Sequence, residues 1–150
     1  MADFGLQAYR KVAVEVGVAV ADPHALVLML YDGALEAIRL AAAHMAAGQI
    51  AEKGQAIGKA ARIIEEGLKA SVDRNTGGQL AYRLLDLYDY MTMRLLQANL
   101  RNDRNTLVEI ARLLTDLRSA WAQIKPVPGR IADSDSAGDA SQAQRLAANA

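Results

Sequence analysis

Between Gly77 and Asp103 the sequence reads GGQLAYRLLDLYDYMTMRLLQANLRND. Leu80, Leu84, Leu87, Met91, Leu95 and Ala98 recur in it at three- and four-residue steps, so it predicts one long helix with a face buried against other helices. A second stripe, Ala81, Leu85, Tyr88 and Leu96, widens that face beyond a single seam. Such a helix sits at the centre of a bundle or beneath a bound partner, and the pattern alone leaves both readings open.

Start and stop signals place three more helices around it. Asp22 is an N-cap with Pro23 at the first helical position, and Gly48 closes a helix over about Pro23 to Ala47. Ala25 to Tyr31 carries no polar side chain, which predicts burial around most of the helix circumference there. A second helix runs from about Ile50 to Val72 with Ile57, Ala60, Ala61, Ile64 and Leu68 on one face. It is the weakest of the four, because Gly54, Gly58 and Gly67 each cost about 1 kcal/mol relative to alanine in a helix interior. Alternatively, Gly54 and Gly58 let a neighbouring backbone come close. After the turn Asp73 to Gly78 and the long helix, Arg101 to Asn105 forms the next break. Leu107, Ile110, Leu114, Leu117, Trp121 and Ile124 then mark a fourth helix up to Lys125, before Pro126. Short links between long helices predict an all-α, antiparallel up-down four-helix bundle over residues 22–125.

The flanks read differently. Val12, Val14, Val16, Val18 and Val20 alternate with smaller or charged residues, the period of an extended segment. Residues 1–21 are therefore predicted as an arm that lies along an apolar groove of the bundle or is ordered by a partner, against the plainer alternative of a flexible arm. Residues 126–150, rich in Ala, Ser, Asp and Gly, are too poorly patterned to pack and predict a disordered tail.

Composition narrows the function. Seventeen Lys plus Arg balance seventeen Asp plus Glu, so no long-range field draws in nucleic acid or an anionic membrane. With no cysteine there is no disulfide and no thiolate nucleophile or metal site. Glu15 interrupts the apolar run near the N-terminus, leaving less than an export signal needs, and nothing approaches a membrane span. A cytoplasmic chain without membrane insertion is expected. Neither His24 nor His44 has a Glu three residues before it, as a bundle metal site would require, and Gly77-Gly78 lacks the Lys-Ser/Thr of a phosphate loop. No metal, no cofactor and no enzymatic activity is expected. Asp86 and Asp89 beside Arg83 read as a solvated face, and Arg94, Arg101 and Arg104 as a solvated turn. Tyr31 and Tyr88 read as core residues before surface anchors, and Trp121 as the residue that locks the fourth helix onto the bundle.

The order of several short motifs is more specific than any one of them. Tyr9 with Val12, Asp22-Pro23, Leu28-Met29-Leu30-Tyr31-Asp32-Gly33-Ala34-Leu35, Ile63-Ile64-Glu65-Glu66 and Gly77-Gly78 come first. Leu87-Tyr88-Asp89-Tyr90-Met91, Ala98-Asn99, Asn102-Asp103 and Leu117-Arg118-Ser119-Ala120-Trp121 follow. Together, over about Tyr9 to Ile124, the chain resembles the flagellin-specific export chaperones of bacterial flagellar assembly, the FliS family. The resemblance implies an antiparallel bundle that binds the disordered C-terminal segment of flagellin, keeps it from polymerising early and helps deliver it to the export gate. The partner contacts expected on this reading are Tyr9, Val12, Tyr31, Leu35, Ile38, Leu85, Tyr88 and Met91, in a monomer or weak homodimer. Two departures stand out: the link Val16 to Ala21 is longer than in the family, and Gly67 and Ala25 stand where a larger apolar residue and a lysine are usual. A rival reading is a bundle that self-associates through the same faces without a flagellar client.

Overall fold

Asp22 opens the first helix as its place before Pro23 predicts, accepting the His24 backbone N–H on its carboxylate at 3.1 Å. In the computed structural model, which describes residues 22–124, four helices follow in order: α1 (Pro23–Ala46), α2 (Ile50–Arg62), α3 (Gly78–Arg101) and α4 (Arg104–Gln123). Each packs on the next, and α4 closes the ring on α1. This is the antiparallel up-down bundle that the short links predict. The valine-alternating arm, with Tyr9 and Val12, and the tail at 126–150 lie outside the described residues.

The core runs down the axis. Leu30, Ala34 and Ala41 of α1, Ile57 and Ala60 of α2, Met91, Leu95 and Ala98 of α3, and Leu107, Ile110 and Leu114 of α4 are all buried to within about 1%. On α3 the buried seam is Ala81, Leu85, Tyr88, Met91, Leu95 and Ala98. It takes its first half from one predicted stripe and its second half from the other. A seam stepping by threes and fours drifts around a helix of 3.6 residues per turn, which moves Leu80, Leu84 and Leu87 to the flank and leaves Leu96 53% exposed.

Two other expectations are corrected. The apolar start of α1 is not buried all round, since Met29 is 44% exposed while Leu26, Val27, Leu30 and Tyr31 face inward. Three neighbouring helices cover only part of that circumference. The second helix is α-helical only to Arg62. It widens into π turns over Ile63–Leu68 and tightens into a 3-10 turn at Lys69–Ser71. The π turns bury Ile63, Ile64, Gly67 and Leu68 together. Nor do Gly54 and Gly58 admit a neighbouring backbone. A Cβ at Gly54 would meet only the Asn99 side chain, at 3.9 Å, and one at Gly58 nothing within 4 Å.

Glycine is required at the entry to α3. A Cβ on Gly77 would lie 2.7 Å from both the Asp73 carbonyl oxygen and the Ala81 methyl, and Gly78 has φ 57°. At the far end Asn102 caps α3 in the left-handed conformation, φ 51° and ψ 46°, and the Asp103 N–H returns to the Ala98 carbonyl at 3.0 Å. Asp103 then caps α4 by accepting the Thr106 N–H at 3.2 Å. A two-residue link thus reverses the chain with its backbone groups satisfied on both sides.

Candidate partner-binding site

The seam between α3 and α4 changes character along its length. Near the Asn102 turn it is polar and tied. Arg94 donates to Thr106 Oγ1 at 3.0 Å, Glu109 Oε1 at 3.2 Å and Gln97 Oε1 at 2.9 Å, and the Tyr90 hydroxyl donates to Glu109 Oε2 at 2.8 Å. The Tyr90 bond above all lowers the Glu109 carboxyl below its ordinary pKa, against an opposing push from burial, and Arg94 adds to the lowering. Arg94, read from sequence as part of a solvated turn, is instead a bridge between two helices.

Away from the turn the same seam is lined with leucine. Helical periodicity, stepped from the Tyr90–Glu109 contact, brings Leu87 level with Leu113 and Leu84 level with Leu117. All four are half-buried and packed on the core. On α4 the inward positions pass from fully buried at Leu107, Ile110 and Leu114 to half-buried at Leu117, Trp121 and Ile124. The core is therefore thinnest where the chain enters at Asp22 and leaves at Ile124.

That thin end is held from the other side. Trp121 Nε1 donates to the His24 carbonyl at 3.0 Å, His24 Nε2 bonds the Trp121 carbonyl at 2.9 Å, and the two rings stack with centroids 5.1 Å apart and planes at 18°. Trp121 locks α4 as expected, with a histidine as its partner that no sequence signal named. One turn further in, Arg118 pairs with Asp32 at 2.5 Å. Both histidines are engaged locally, His44 with Gln49 Oε1 at 2.6 Å.

Of the residues expected to contact a partner, Tyr31, Ile38, Leu85, Tyr88 and Met91 are buried and Leu35 is half-buried. Tyr31 and Tyr88 meet across the bundle, hydroxyl to hydroxyl, at 2.6 Å. Burial pushes both phenols above their ordinary pKa, Tyr88 well above, so the pair is uncharged at neutral pH. Of the half-buried leucines along the seam, Leu84, Leu87 and Leu117 were legible only as helix-face residues and Leu113 carried no signal. What marks them is being half-buried together, which no pattern in one helix reveals.

A second apolar surface lies on the outside of α3, where Met93, Leu96 and Leu100 are 59%, 53% and 83% exposed. Their i, i+3, i+7 spacing puts them on one stripe.

Among the described residues no group of three or more His, Cys, Asp or Glu side chains is placed to hold a metal ion. A family model described as flagellar protein FliS matches residues 5–128. The chain belongs to the FliS family. It is 48% identical over 122 residues to the flagellar secretion chaperone FliS of Salmonella typhimurium, covering 81% of this chain and 90% of that one. It is 40% identical over 129 residues to the protein of the same name from Escherichia coli K12, covering 86% and 95%. With the Bacillus subtilis FliS it shares 42% identity over 103 residues, 69% and 75% of the two chains. The motifs from Asp22-Pro23 to Trp121 thus lie inside the matched span. In this FliS family member no described helix is long and apolar enough to cross a membrane.

Proposed function

We propose that this protein is a cytoplasmic export chaperone that holds the C-terminal segment of flagellin, prevents its premature polymerisation and helps present it to the flagellar export gate. The observation that carries the reading is the leucine half of the α3–α4 seam, an apolar band left half-covered in a bundle that otherwise buries its core. A client segment that is disordered when free folds as it lays its apolar face into such a groove. Asp22, where α1 begins, is at the same end of the bundle as Trp121 of α4. An arm carrying Tyr9 and Val12 would shield the band until the client displaces it, lowering apparent affinity and limiting aggregation. Contacts at Leu35, which is half-buried, and at the buried Tyr31, Ile38, Leu85, Tyr88 and Met91 would then come into play as the seam opens.

Calorimetric titration with the C-terminal segment of the same organism's flagellin, with helicity followed in parallel, tests the reading. One-to-one binding with helix gained beyond the sum of the parts supports it; no binding at micromolar concentrations sinks it. The exposed stripe Met93, Leu96 and Leu100 favours a second reading, self-association through α3. Light scattering that finds a tight dimer indifferent to flagellin would favour that one.

A further inference from the structure

The exposed stripe on α3 has a furrow beside it. Lys53 of α2 donates to the Asn99 carbonyl at 2.9 Å, and Lys69, past the π turns, donates to Asp89 at 2.7 Å, so this strand of the bundle is pinned along α3 at two levels. Between the pins α2 presents glycine. A Cβ on Gly54 would touch only the Asn99 side chain, and one on Gly58, a turn further on and about level with Leu96, would meet nothing within 4 Å. With no side chain opposite them, Met93, Leu96 and Leu100 stand as an uncovered apolar ridge next to open space.

A ridge and a furrow on one face make that face complementary to itself. We infer that two copies of this chain meet here as an antiparallel two-fold dimer, α3 against α3, with Leu96 of each copy in the furrow over Gly58 of the other. The charges agree with this pairing. Asp86 and Asp89 stand ten and seven residues before Leu96, and Arg101 stands five after it, all three exposed. A two-fold axis near Leu96 therefore turns the acidic end of one stripe towards the basic end of the other. Seventeen acidic and seventeen basic residues leave the two copies without net repulsion. Leu84 and Leu87 lie about 120° and 180° around the helix from Leu96, so the dimer leaves the leucine half of the α3–α4 seam free for a client. This rests on self-association, the second reading above, and makes it compatible with the first. The ridge is small, so the dimer is weak and forms as concentration rises.

The chain has no cysteine, so a single introduced one reports what lies next to it. Leu96→Cys, near the axis, should form a covalent dimer under mild oxidation much faster than Val108→Cys, an exposed position on α4. In sedimentation over a concentration series the mass of the wild type should rise above that of the monomer. Leu96→Glu should weaken this association about tenfold and leave the melting temperature unchanged, since the side chain it replaces is exposed. Equal cross-linking at the two cysteines, or a Leu96→Glu variant that associates as the wild type does, overturns the inference and sends self-association to another face. A wild type that stays monomeric throughout, with no cross-linking at Leu96→Cys, sinks the self-association reading itself and the inference with it.

Discussion

The two halves of the α3–α4 seam are made by the same pair of helices and differ in nearly every physical respect. At the Asn102 end a two-residue link, two capped termini and the Arg94–Glu109–Thr106 bonds hold the helices over fully buried Leu107 and Ile110. At the His24 end the facing residues are leucines, half-buried, and the holding contacts run from α4 to α1. A tied seam resists separation, whereas an untied apolar one can exchange its covering for another apolar surface at little net cost in buried area. Such a difference would let one bundle keep its fold while yielding along one edge.

The sharpest way to break the comparison is to truncate one residue in each half. Ile110→Ala empties a fully buried site and is expected to cost about 2–5 kcal/mol in urea unfolding, with client affinity altered only through lost stability. Leu117→Ala, half-buried, is expected to cost nearer 1 kcal/mol yet to weaken the flagellin peptide several-fold. Equal stability costs, or a larger binding defect from Ile110→Ala, would mean that the halves are not functionally distinct.

Next in size is Lys53. This buried lysine of α2 donates to the Asn99 carbonyl at 2.9 Å and to the Asn102 side chain, closing the C-terminus of α3 from outside its own helix. Lys53→Ala strands those acceptors and is expected to cost about 1–3 kcal/mol. The accompanying loss of amide-exchange protection should be confined to the Asn102 end. A loss spread evenly over the bundle would deny that this end is an independently tied unit.

At the other end Trp121→Phe keeps most of the ring volume and removes one hydrogen bond, an expected cost of about 1 kcal/mol. Exchange should quicken in the first turn of α1 and the last turn of α4, and flagellin peptide affinity should hold or rise as the edge loosens. Faster exchange at the Asn102 turn instead would show that the two ends are coupled.

Much of this was legible in the sequence, and the limits have physical reasons. Capping residues speak locally, so Asp22, Pro23, the Gly77-Gly78 turn and the helix count follow from neighbours in the chain. The drift of the α3 seam from one stripe to the other does not, because it is set by how the helices cross. The π turns after Arg62, which bury Ile63, Ile64, Gly67 and Leu68, carry no local signal either. Lys53, one of four charged residues on α2, gave no sign of its burial. The leucine half of the seam lay beyond any single-helix pattern, since being half-covered is a property of four helices at once.

The smallest expected effect is the acid response, and it separates the halves by chemistry alone. Hydrogen bonds from Thr106 to Asp103 and from Tyr90 and Arg94 to Glu109 depress both carboxyl pKa values in the folded state. A depressed folded pKa contributes stability that is fully present above the unfolded value, about 4 for these groups, and is lost as pH falls through the folded one. Acidification below about pH 5 should therefore loosen the Asn102 half while the leucine half, with no carboxyl in its lining, holds its exchange protection. Glu109→Gln keeps the shape, removes one of the titrating groups and should flatten part of the acid dependence at that end. If protection instead fell first at Leu84, Leu87, Leu113 and Leu117, charge would not be what ties the seam. The contrast between its halves would then rest on packing alone.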